Sequence, residues 1–137
     1  MIAAIPLTVV PFILFNVLGF VYGGQPWGNV VFGLAMVSGL KWTVSLGDLI
    51  ILLGLVMLFF ELLRAARPGT STVTNHLAST FVFIVYLLEF ILAAVAANSV
   101  FFILTVISLF DVAAGFTISI RTARRDIALG SDIDGMH

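Results

Sequence analysis

Apolar runs long enough to cross a bilayer recur four times in this chain, at about residues 4–22, 46–63, 76–97 and 100–120. A hydrocarbon slab about 30 Å thick takes roughly 20 helical residues to cross. Inside it every backbone N–H and C=O must find a partner within the segment, so each run is predicted to be a helix. Together they predict an all-α integral membrane protein, a four-transmembrane-helix bundle. Of the 137 residues, 61% are hydrophobic and only 9% are charged, which is too little charge to keep a soluble domain of this size dissolved. Lipid is therefore the expected solvent and the first partner of most of the chain. Cysteine is absent, which removes disulfides and thiolate metal or redox sites. The net charge of −1, with the arginines in two short clusters, gives no nucleic-acid footprint.

Residues 1–40 carry no charged side chain. The first run lacks a basic leader and a clear small-residue cleavage site, so it reads as a retained helix rather than a signal peptide. Pro6 suits a first turn, and Pro11 is expected to bend the helix. Gly23 to Gly28 then read as a loop. Residues 30–46 are too short and too glycine-broken to span. They are predicted to form a short extracytoplasmic interfacial β-hairpin turning at Ser38-Gly39, with Val37 opposite Leu40, Ala35 opposite Trp42 and Gly33 opposite Val44. A short interfacial helix over residues 30–36 is the competing reading. Arg64, Arg67 and Pro68-Gly69 close the second run, a polar linker follows to Asn75, and Asn98-Ser99 reads as a tight turn. Residues 121–137 read as a mobile cytoplasmic tail. Arg64, Arg67, Arg121, Arg124 and Arg125 fall on one side of the membrane and Lys41 on the other. The positive-inside rule then puts both termini in the cytoplasm, with a bacterial inner membrane as the expected location. Trp27 and Trp42 fall where an outer aromatic belt is expected.

Each run gathers its small and polar residues on one face. Asn16, Gly19 and Gly23 share a stripe, Gly47, Gly54 and Glu61 recur every seven residues, Glu89 lies with Tyr86 and Ala93, and Asp111 lies with Ser108 and Gly115. Bulky opposite faces suit lipid, and small faces suit helix packing. Glu89 and Asp111 lie inside the last two runs, where no Lys or Arg can neutralise them. Counted from the Asn98 turn at ~1.5 Å per residue, they sit about 14 and 20 Å deep, close enough to meet. Two such carboxylates cannot both stay charged without a cation. With Asn16 and Tyr86 as orienting groups, this is the chemistry of a proton or small-cation pathway. The alternative is that the acids hydrogen-bond neighbouring helices in an accessory or assembly subunit of a larger membrane complex.

The remaining charges read as interfacial. Glu61 pairs with Arg64 three residues on, and Asp48 supports the start of a helix. His76 alone is a poor metal or haem ligand. No phosphate loop, zincin or nucleophile-elbow motif occurs, so no enzyme, metal or cofactor is expected. A bundle this small has little protein–protein area, so a homo-oligomer or a larger membrane-protein partner is expected.

Overall fold

The computed structural model describes residues 5–66 and 72–135, with the backbone alone for residues 72, 73, 119 and 122–135. Of the positions read from the sequence, Ala4, Arg67, Pro68-Gly69 and the side chains of Arg124 and Arg125 lie outside the described residues. Four α-helices and one two-stranded antiparallel sheet make up the fold.

The first helix, α1, is Val9–Tyr22, shorter than the predicted run. Pro11 lies in its first turn, where a missing N–H has no intrahelical partner to lose. The proline therefore marks a beginning rather than a bend, after a turn in which Val9 N–H donates to Pro6 C=O at 3.2 Å. At 14 residues α1 is about 21 Å long, short of the hydrocarbon thickness. Three helices do have the length and apolarity to cross: α2 (Leu46–Ala65), α3 (Thr72–Leu92) and α4 (Ser99–Gly135), the last over Ser99–Ile118. Gly23 ends α1 with φ +67° and its N–H on Gly19 C=O, so it is a stop and not a packing residue. The backbone of α4 continues as helix through the predicted tail, because no proline stands between Ile120 and Gly135 to interrupt it.

The hairpin consists of β1 (Val30–Ala35) and β2 (Lys41–Ser45). Its register differs from the predicted one by one residue: Leu34 faces Trp42, Gly33 faces Thr43, and Met36 N–H donates to Leu40 C=O at 2.9 Å. The turn thus holds three residues, Val37 to Gly39, with Gly39 at φ +92°. A type I turn closed by a left-handed residue needs that third position, and only glycine takes it without strain. β2 runs directly into α2 through a capping box. Ser45 Oγ accepts from Asp48 N–H at 3.2 Å, and Asp48 Oδ2 accepts from Ser45 N–H at 3.0 Å.

At the same end of the molecule, α3 stops at Leu92, five residues before the predicted limit. A 3-10 turn, Ala94–Ala96, leads to Asn98, whose Oδ1 caps α4 by accepting from Phe101 N–H at 2.9 Å. The apolar run continues through this connection, so hydropathy alone does not mark the break.

α2 and α4 lie side by side and parallel. A Cβ on Gly47 would meet Val100 at 2.7 Å, and one on Gly54 would meet Leu104 at 2.8 Å and Ile107 at 3.2 Å. The seven-residue recurrence of small residues is thus the line along which α4 seats. α3 packs antiparallel against α4, with the His76 ring stacked on Phe116 at 4.5 Å and against Gly115. Phe15, Trp27, Tyr86 and Phe101 meet at the centre. Trp27 stacks on Phe15 at 4.0 Å and is 4% exposed, so it belongs to the core rather than to an outer belt.

Candidate functional site

Following the α2–α4 line past Gly54, the next residue of the seven-residue series is Glu61. Opposite it, one and two turns beyond the Leu104–Ile107 contact, stands Asp111. Both are buried, at 5% and 3% exposure. Glu61 brings a like charge to bear on Asp111, and Arg64 an opposite one. The hydroxyls of Ser79 on α3 and Thr8, just before α1, face the Asp111 carboxyl from the other sides. Ser108, three residues earlier on α4, is completely buried.

The two acids are held differently. Glu61 Oε2 accepts from Leu7 N–H at 2.9 Å, and its Oε1 lies 3.6 Å from Arg64 Nη2. Arg64 also donates to Ile5 C=O at 2.9 Å, so the ion pair read from the sequence also ties down the segment before α1. Asp111 Oδ2 and Ser108 Oγ, by contrast, are buried without a hydrogen-bond partner among the described residues, and the Thr8 hydroxyl faces the Asp111 carboxyl without a well-aligned hydrogen bond. Buried oxygens without partners cost roughly 1–3 kcal/mol each. Such a cluster calls for a proton, a water or a hard cation to share.

Glu89 lies elsewhere. It is three residues from the end of α3, and Asp111 is twelve residues into α4. At ~1.5 Å per residue, their distances from the α3–α4 connection differ by about 13 Å. The early stop of α3 is what lifts Glu89 away from the position counted on an unbroken helix. Its partner is Asn16, whose Nδ2 donates to Glu89 Oε2 at 3.1 Å and to Phe12 C=O at 2.9 Å. Tyr86 is 1% exposed and donates its O–H to Thr8 C=O at 2.7 Å. The four expected site residues therefore fall in three places. Asn16 and Glu89 form one polar contact toward the hairpin end, Asp111 stands with Glu61, and Tyr86 anchors the start of α1 between them.

The other residues picked out in the sequence occupy structural positions. Gly19 seats Val95, Gly54 seats α4, Gly115 seats His76, and Ala93 lies in the connection after α3, packed on the core. Among the described residues no group of three or more His, Cys, Asp or Glu side chains is placed to hold a metal. Thr8 and Ser79 carry no signal in the sequence. Glu61 does, because its place in the Gly47-Gly54 series puts it on the α2–α4 line. No protein family, curated protein or solved structure matches the chain.

Proposed function

We propose that this is a small integral membrane protein, non-catalytic and oligomeric, that provides a proton or small-cation pathway, with Asp111 as its titrating group. The observation carrying this reading is the Asp111 carboxylate, buried about a third of the way along α4 beside a second acid, with its Oδ2 and the neighbouring Ser108 hydroxyl left without hydrogen-bond partners among the described residues. Intramembrane acids facing a bundle interior mark ion pathways more often than packing. An all-oxygen set with one carboxylate already paired to arginine suits a proton or a monovalent cation better than a transition metal. In this reading Glu61 tunes the charge at Asp111, and Glu89 with Asn16 forms the outer relay. The arginine-bearing end faces the cytoplasm of a bacterial inner membrane, with both termini inside.

Reconstitution in liposomes tests it. Proton and cation flux should be abolished by Asp111→Asn, altered by Glu61→Gln, and reduced less by Glu89→Gln. Wild-type flux from Asp111→Asn, in a protein that inserts normally, overturns the reading.

A second reading has its own support. Glu61 and Glu89 are each engaged in holding the α1 segment to another helix. Acids used that way fit an accessory subunit of a larger membrane complex, and recovery of a stoichiometric partner in mild detergent would favour it.

A further inference from the structure

The hairpin is two-faced, and only its actual register makes it so. Pairing Phe32 with Val44, Leu34 with Trp42, and Met36 with Leu40 places six large apolar side chains on one side of the sheet. Gly33, Thr43, Ala35 and Lys41 occupy the other. A slip of one residue would have set Gly33, Ala35 and Val37 among Leu40, Trp42 and Val44 and dissolved the contrast. Val44, where β2 meets α2, is 3% exposed. Further out, Phe32, Leu34, Met36, Leu40 and Trp42 are 46% to 74% exposed. The bundle thus covers the apolar face at its root and leaves the remainder uncovered.

We propose that this face rests in the headgroup region of the outer leaflet, so that the hairpin is an interfacial foot of the bundle and its occupant is phospholipid. The inference rests on α2–α4 crossing the membrane. Two observations favour lipid, and a third sets the depth. β2 runs without a break into α2, which itself leaves Leu49, Leu52 and Leu55 exposed, so consecutive stretches of chain both present bare apolar side chains. Trp42 on the apolar face and Lys41 on the polar one are the pair of side chains that an interface sorts to opposite sides. The two-stranded sheet has free N–H and C=O groups on both edges, which need water and so keep the hairpin out of the hydrocarbon but not out of the headgroups.

The absence of cysteine permits a direct test. Spin labels are attached at Leu34→Cys, Thr43→Cys and, on the outward face of α2, Leu52→Cys, each in the full chain in phosphatidylcholine–phosphatidylglycerol liposomes. Collision with oxygen reports lipid, and collision with a water-soluble nickel chelate reports water. The label at 34 should favour oxygen several-fold, the label at 43 should favour nickel, and the label at 52 should be shielded from nickel altogether. Nickel access at 34 equal to that at 43, with 52 still shielded, overturns the foot while leaving the membrane-spanning helices intact. Shielding of 34 from both reagents, with dipolar broadening between labels, overturns it in favour of a second copy of the chain. Nickel access at 52 overturns the membrane reading and the foot with it.

Discussion

Gly47 and Gly54 lie on the same face of α2, yet the structure gives them different tolerances. A Cβ on Gly54 would press on the mobile ends of Leu104 and Ile107, which can turn aside. A Cβ on Gly47 would meet the Trp27 backbone carbonyl at 3.0 Å as well as Val100 at 2.7 Å, and that carbonyl is fixed by the turn around it. Alanine at Gly54, inside the helix, gains about 1 kcal/mol of propensity against roughly 1–3 kcal/mol for overpacking, whereas Gly47, in the first turn, has less propensity to gain. Gly54→Ala should therefore be near neutral, and Gly47→Ala should lose about 1–2 kcal/mol. Equilibrium unfolding in mixed micelles measures both, and equal losses would contradict the distinction. At this scale the sequence is informative about which residues share a face and silent about what lies opposite. The spacing of Gly47, Gly54 and Glu61 was legible, as was the ion pair of Glu61 with Arg64. The meeting of Glu61 with Asp111 was not, because it depends on how far along α2 the parallel α4 sits.

Among the elements, α1 is held most by polar contacts. Tyr86 O–H to Thr8 C=O, Leu7 N–H to Glu61, Arg64 to Ile5 C=O and Asn16 to Glu89 tie it and its preceding turn to α2 and α3. Tyr86→Phe removes the most buried of these and should cost about 1 kcal/mol, confined to α1. Amide exchange over Val9 to Phe12 should then quicken roughly fivefold while α2 and α4 keep their protection. Uniform acceleration across all helices would show that Tyr86 supports the whole bundle instead. The existence of a hairpin was legible from its β-rich flanks and central glycine. Its register was not, since Ser38-Gly39 fits both a two- and a three-residue loop, and the choice rests on the φ of Gly39. The end of α3 was hidden for another reason: Leu92 to Ala97 is as apolar as the helix before it, and the chain turns there through packing, with Ala96 fully buried.

For the whole molecule, large apolar side chains are exposed on every helix, among them Phe20, Phe59, Leu92 and Phe110, a surface compatible with lipid as its surroundings. The chain should remain with the membrane pellet after alkaline carbonate extraction, and release into the supernatant would refute three spanning helices. The number of long apolar runs was legible, but α1 falls short of a span because Pro11 sets where it starts and Gly23 where it stops. That shortness has a consequence for who can approach the two acids. Beside the upper part of α1 an open groove of about 790 Å³ runs past Asn16, Gly19, Phe20, Gln25, Ala94 and Val95. In a bilayer this is a side window: acyl chains can enter it and touch the amide that holds Glu89. Asp111, 3% exposed, does not line this groove, so the two acids differ in how they are reached from the leaflet.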